Sequence, residues 1–238
     1  MQEKIRIEKY LSEQGILSRR EAKKAIQEKL IQLKGKVIHQ GEKLSLADLQ
    51  QLKLSPEIKK QQKTKETYAV YKPRGYTSSK DGTKNIFHAF PQFSHLHTVG
   101  RLDKESEGLI LLTNDGLVTK AVTGKDHRIE KEYLVEVREK VLPAMIRKME
   151  QGMILEDGPT LPTKAQKVDA HRFRITLKEG RKHQIRRMAN ALKLTVLSLK
   201  RMRIHNIHLG KMLPRNYRKL TQEEITSLKK AGLVKNDS

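Results

Sequence analysis

Apolar positions along the 238-residue chain recur in two rhythms, and the order of those rhythms predicts its architecture. Thr67–Lys72 (TYAVYK), Leu109–Leu112, Tyr133–Val137, His171–Leu177 and Leu194–Leu199 are short runs rich in β-branched and aliphatic residues, several of them alternating, and predict strands. Helical spacing appears in Pro143–Gln151, in Lys182–Leu192 with Ile185, Met188, Ala189 and Leu192 on one face, and in Gln222–Lys230. Thr221 and Glu224 form a capping box at the start of the last helix. The strands come in clusters rather than in strict alternation with helices. The prediction is an α+β domain with a largely antiparallel sheet flanked by helices, in preference to a doubly wound one.

The N-terminal segment has a pattern of its own. Ile7, Leu11 and Ile16 offer apolar contacts, and Ser18-Arg19-Arg20-Glu21 is a capping box opening a helix with Ala22, Ala25, Ile26 and Leu30 inward. Leu33–Val37 reads as a turn into a strand. Residues 55–66, SPEIKKQQKTKE, are polar, contain a proline and lack any apolar period, as a linker does. The expected organisation is a small domain at 1–54, a linker at 55–66 and a large domain at 67–238. A unit as small as the first has little core and is suited to presenting a surface. Arg6, Lys9, Arg19, Arg20, Lys23 and Lys24 make that surface basic.

Charge narrows the partners. Fifty Lys+Arg against 27 Asp+Glu give a net charge of +23, which points to a polyanion, with nucleic acid foremost. The absence of cysteine removes disulfides, thiolate catalysis and zinc ribbons. No run of about 18 apolar residues exists and MQEKIRIEKY lacks a signal-peptide core, so a soluble cytoplasmic protein with no membrane association is expected. No long exposed apolar seam argues for an obligate dimer, so a monomer is expected.

Two stretches carry candidate chemistry. Residues 171–220 hold 15 Lys+Arg and a single acid, Glu179. Within them EGRKHQIRRM puts Arg181, Lys182, His183, Arg186 and Arg187 at the start of a helix, a natural anion site. The second stretch, VGRLDKESEGLILLTNDG, sets Asp103 after a Gly-Arg-Leu turn and ahead of an apolar strand, which makes it a candidate nucleophile or acid/base.

The same residues carry a family resemblance. Arg6, Lys9, Leu11, Ser18-Arg19-Arg20, Ala22 and Gly35 resemble the small RNA-binding domain named after ribosomal protein S-four, over about residues 4–53, with Lys34 where that family often has Asn. KPRG (Lys72–Gly75), GRLDKESEGLILLTNDG with EKEYLVEV (Glu130–Val137), and EGRKHQIRRM, in that order, resemble the RsuA/RluF branch of pseudouridine synthases, which modify ribosomal RNA. The run RMRIHNIHLGKMLPRNYRKLT is similar to the large-subunit-RNA (23S) enzymes of that branch, and the length difference around Leu117 reads as a loop change.

The resemblance implies roles. Asp103 would be the catalytic carboxylate, adding to an electron-poor carbon or helping expel the base. Arg186 would be its counter-charge, and Tyr133, of the Lys-x-Tyr motif, would stack on the uracil and serve its proton transfers. Arg101 would hold a phosphate or fill the gap left by a flipped nucleotide. Leu199 would be an apolar wall for the base. Lys72, Arg181, Lys182, His183, Gln184 and Arg187 would touch RNA, as would Arg6, Lys9, Arg19 and Arg20 of the small domain. The isomerisation needs no cofactor and no metal. Ribosomal RNA is the expected partner, and some members also accept transfer RNA.

Rival readings are set against these residues. Asp103 or Glu105 could hold Arg101 in a salt bridge, and Leu199 could be an ordinary core leucine. His95 with His97, or His205 with His208, could ligate metal, although no carboxylate cluster stands nearby. A nuclease would use His127 or His183, which lack paired acid/base spacing. A non-catalytic RNA-binding or ribosome-assembly factor would show the same charge pattern but would gain little from Asp103.

Overall fold

The computed structural model describes residues 4–14, 16–56, 58, 64–80, 83–124 and 129–232. It divides into two compact units, Met1–Glu66 with Asn114–Leu117, and Thr67–Thr113 with Val118–Ser238. Residues 57 and 59–63 of the expected linker lie outside the described residues, as does His127.

The small unit is built from β1 (Ile5–Arg6), α1 (Ile7–Glu13), α2 (Arg19–Gln27), β2 (Ile31–Leu33), β3 (Lys36–Val37), β4 (Lys43–Leu44), α3 (Leu46–Leu49) and β5 (Leu52–Leu54). Ser18 and Glu21 cap α2 reciprocally, with Ser18 N to Glu21 Oε2 at 2.7 Å and Glu21 N to Ser18 Oγ at 3.2 Å. Ile7, Leu11, Ala22, Ala25, Ile26 and Leu49 form the core. Leu30 falls outside α2, because Lys29 is left-handed (φ 58°) and the chain has already turned toward β2. Lys34 (φ 50°) and Gly35 (φ 79°) both take positive φ between β2 and β3, the backbone of a tight hairpin turn matched to strand twist. That geometry explains why Asn suits the position that Lys34 occupies.

The large unit contains β6 (Thr67–Lys72), α4 (Ile86–Ala89), β7 (His97–Val99), β8 (Glu107–Thr113), β9 (Lys131–Val137), α6 (Pro143–Gln151), β10 (Ile154–Leu155), β11 (Gly158–Pro159), β12 (Lys164–Lys167), β13 (Arg172–Leu177), α7 (Gln184–Ala191), β14 (Val196–Ile204), β15 (Ile207–His208), β16 (Tyr217–Lys219) and α8 (Gln222–Ala231). Helix α5 (Gly116–Thr123) crosses from one unit to the other in sequence. Among the described residues nine strands form one sheet in the order β12-β13-β9-β14-β8-β6-β16, with β15 beside β14 and β7 beside β8. Its strand pairings are antiparallel except that of β14 with β8.

Both faces of β8 are covered, as its nearly uncharged sequence requires. Leu109 and Leu111 pack with Val118, Ile204 and Leu228 on one side, and Ile110 and Leu112 with Val70, Ile86 and Phe90 on the other. A third cluster, including Val135, Phe173, Ile175 and Met188, lies between the β9–β13 part of the sheet and helices α6 and α7. β8 runs intact to Thr113, and α5 is opened by Asp115 Oδ1 accepting Leu117 N at 2.9 Å. One expectation is corrected here. Helix α7 begins at Gln184 rather than Lys182, since His183 before it is left-handed (φ 51°). Among the described residues no helix is long and apolar enough to cross a membrane.

Candidate active site

A cleft of about 980 Å³ opens in the large unit where the loop before β8 meets β9, β14 and the approach to α7. Asp103, Tyr133, Leu199 and His183 line it together. The Asp103 side chain is 38% exposed, and His183 Nε2 lies 3.4 Å from its Oδ1. Tyr133 comes up from β9 in register with Ile175 and Arg201 and packs against two of the apolar clusters. Leu199 is both cleft wall and core: it is 6% exposed and belongs to the cluster under α7.

The Asp103 loop is held on each flank by backbone bonds. Buried Ser78 donates from Oγ to Leu102 O at 2.7 Å and accepts from Leu102 N at 2.9 Å. Gly75 N donates to Lys104 O at 2.7 Å, and Ser106 N to Asp103 O at 3.0 Å. The segment after β6 is therefore the platform for Asp103. Lys72 shapes that platform and does not face RNA: it is 0% exposed, and Nζ donates to Pro73 O at 3.0 Å and Tyr76 O at 2.8 Å. Its expected RNA contact is corrected by that burial.

Sequence reading missed the cation at the centre of the site. Arg201 is 2% exposed and lines the cleft. Nε donates to Leu109 O at 2.6 Å and Nη1 to Arg101 O at 3.3 Å. Lys131 also lines the cleft, with Nζ on Ile129 O at 3.1 Å. Burial first, and the charge of Arg201 second, lower the Lys131 ammonium to about 8. The same two causes bring Lys72 to about 8, against the partial offset of Asp103, Glu105 and Glu107. The signal for Arg201 was its place in the strand that continues past Leu199, masked by the basic run around it.

The remaining expected residues separate cleanly. Arg101 is exposed at the cleft, and its side chain forms no salt bridge with Asp103 or Glu105 among the described residues. Lys182 and His183 are exposed at the rim. Arg186 does not pair with Asp103: its Nη2 donates to Glu105 O at 3.1 Å, and the Glu105 carboxylate is taken by Arg74 Nε at 3.0 Å. Arg181, Gln184 and Arg187 are each engaged within the protein, and Arg181 and Gln184 also line the cleft. Arg181 donates to Gly158 O at 3.0 Å and to Pro159 O, and pairs with Glu179 at 3.1 Å. Gln184 is buried, with Nε2 to Glu179 Oε1 at 2.7 Å and Oε1 accepting Arg181 N at 3.2 Å. Arg187 grips both oxygens of Asp157 at 2.8 and 2.9 Å, which holds α7 to the β10–β11 hairpin. In the small unit, Arg6, Lys9, Arg19 and Arg20 are all exposed, on β1, α1 and α2.

Among the described residues no three His, Asp or Glu side chains converge. His97 Nε2 meets Thr119 Oγ1 at 2.9 Å, and His205 Nε2 meets Ser227 Oγ at 3.0 Å. The cleft thus offers one half-exposed carboxylate, an aromatic ring and an apolar wall inside a cationic rim. That combination suits one planar base of a polyanion, presented to a nucleophile.

Known proteins show which family the chain belongs to. The family model described as RNA pseudouridylate synthase matches residues 66–191. The dual-specificity RNA pseudouridine synthase RluF of Escherichia coli is 37% identical over 98% of this chain and 81% of its own length. The ribosomal small subunit pseudouridine synthase A of Haemophilus influenzae is 32% identical over 95% of this chain and 100% of its own. A crystal structure of a pseudouridylate synthase matches with a TM-score of 0.71 at 31% identity, over 94% of this chain and 99% of that one. With a family match over more than half its length and relatives aligned almost end to end, the chain belongs to the RsuA/RluF family of RNA pseudouridine synthases.

Proposed function

We propose that this enzyme isomerises one uridine of ribosomal RNA, in the large-subunit (23S) molecule, with Asp103 as the nucleophile. The observation that carries the reading is the meeting of Asp103, Tyr133 and Leu199 in one cation-rimmed cleft. In the reaction the bond from ribose C1′ to uracil N1 breaks, C1′ joins C5, the proton on C5 departs and N1 gains one. Nothing is oxidised and no group is lost, so the chain's own residues suffice. Tyr133 stacks on the uracil and serves the proton transfer at C5. Arg101, exposed beside Asp103, keeps the flipped nucleotide out of its stack. Arg186 and Ser78 act through the backbone of the Asp103 loop. The small unit docks folded RNA through Arg6, Lys9, Arg19 and Arg20. The preference for large-subunit RNA rests on the resemblance of Arg201–Thr221, and the dual-specificity relative makes transfer RNA a second candidate substrate.

The test supplies large-subunit RNA, small-subunit RNA and transfer RNA, each tritiated at uracil C5, and counts released tritium. Release from large-subunit RNA is expected. Release from small-subunit RNA alone would move the target, and none from any of the three under binding conditions would defeat the assignment of substrate.

A further inference from the structure

We infer that Arg201 is a positioning residue for Asp103, acting from β14 through the carbonyl of Arg101. The inference rests on the proposed role of Asp103. Arg201 sits in the middle of β14, opposite Gly108 of β8 and Tyr133 of β9, so its strand touches both elements that carry the site. A bulge in the β14–β9 pairing falls between Arg201 and Arg203, a device that re-aims side chains beside functional sites. From there the guanidinium joins two strands and one loop: Nε takes Leu109 O in β8, and Nη1 takes Arg101 O two residues before Asp103.

A salt bridge would be the usual reason to bury such a group, and among the described residues Arg201 has none. Among the described residues no carboxylate lies within ion-pair distance of Arg201, and its Nη2 is buried without a hydrogen-bond partner. A buried, unpaired guanidinium is costly and persists where surroundings and function hold it. Lys72 and Lys131 stand close enough for Arg201 to repel their ammonium groups. Three cations therefore gather under the cleft, and the most buried of those lining it is tied to the Asp103 loop by its backbone. A flat, forked donor is needed for this: one lysine amine on a flexible stem cannot hold two carbonyls on different elements in fixed directions.

The test compares wild type with Arg201→Lys and Arg201→Gln by two readouts. In tritium release from ribosomal RNA, both variants are expected to lose at least about 30-fold in kcat while KM stays within about threefold, since phosphate contacts lie elsewhere on the surface. In hydrogen exchange, the amides of residues 101–106 should exchange about tenfold faster in both variants with the rest of the large unit unchanged. If Arg201→Gln does not fold, Arg201→Lys, which keeps the charge, reads the same two quantities. Wild-type kcat per folded molecule, or a loss carried by KM, would overturn the inference, as would unchanged exchange at 101–106. Exchange requires no turnover, so a wild type that releases no tritium defeats the proposed substrate alone and leaves the positioning role to be decided by exchange.

Discussion

Gly108 on β8 lies against Arg201 on β14 so closely that a Cβ at Gly108 would stand 2.5 Å from the Arg201 carbonyl oxygen and 2.8 Å from its amide nitrogen. The two residues meet at the parallel seam of the sheet, and Gly108 takes a φ of +102° that side chains disfavour. Backbone atoms on the Arg201 side cannot swing away as a side-chain tip would. Gly108→Ala should therefore incur backbone strain of about 1–3 kcal/mol and overpacking of about 1–3 kcal/mol. A fall in melting temperature of roughly 10 °C is expected. Gly180, with nothing within 4 Å of an added Cβ, is the control, and Gly180→Ala should leave the melt unchanged. Equal melts for the two variants would mean that the seam is looser than its geometry.

Asp103 is placed for chemistry rather than for stability. Its carboxylate is 38% exposed, and the neighbouring His183 imidazole, 3.4 Å away, is itself 49% exposed, a contact worth at most about 1 kcal/mol. Asp103→Asn should therefore fold normally and release no detectable tritium. RNA affinity should stay within about twofold, since removing a carboxylate from a cationic cleft takes no cation away from the phosphates. Retained turnover would remove Asp103 from the reaction.

The basic surface can be divided by its response to salt. Removing one phosphate-binding cation makes the slope of log K against log salt shallower by about 0.7–0.9. Arg101→Ala and Lys182→Ala should each reduce it by about that amount, and joint substitution of Arg6, Lys9, Arg19 and Arg20 by alanine by about 3. Arg181→Ala and Arg187→Ala should leave the slope unchanged and reduce kcat, because those guanidinium groups are engaged with Pro159, Glu179 and Asp157. Substitution is a cleaner probe than deletion of the small unit. Asn114 takes a bond from Glu66 N at 2.8 Å and gives one to Thr64 O at 3.0 Å, and a truncation through that stretch would strip both.

These arginines also show where sequence reading works and where it stops. β6 and α6 run over the residues expected, because each has a clear period and α6 has Pro143 at its first turn. The capping boxes at Ser18 and Thr221 form as read, since their partners are three residues apart. Asp103 and Tyr133 are legible through ordered motifs, and both line the cleft with Leu199, which reads only as a wall on the strand after the basic helix. The dense positive charge of residues 171–220 is misleading, because the neutralising acids are remote: Glu132 meets Arg174, Glu130 meets Arg203 and Asp157 meets Arg187. A local reading sees fifteen cations on a surface where the fold has already paired several. Arg201 and Ser78 escape for a related reason. Their partners are main-chain carbonyls and amides, which leave no trace in side-chain patterns.

Lys131 supplies a pH dependence with a definite sign. Burial, then repulsion by Arg201, lowers its ammonium from 10.5 to about 8. Below pH 8 the group is protonated both folded and unfolded, and the full cost of the buried charge applies. Between pH 8 and 10.5 the unfolded chain holds a proton that the folded chain has released, so stability rises with pH. Lys72, also brought to about 8, acts in the same window. Unfolding free energy from urea titrations should therefore increase from pH 7.5 to 9.5, by up to about 2 kcal/mol for each lysine. Lys131→Met should be more stable than wild type at pH 7.5 and show a smaller rise, while Lys72 keeps its share. An RNA phosphate in the cleft opposes the repulsion from Arg201 and favours the charged amine, so RNA affinity should weaken as pH climbs through 8. In Lys131→Met that loss should shrink. A variant that kept the wild-type pH dependence of both stability and affinity would place the titrating group elsewhere.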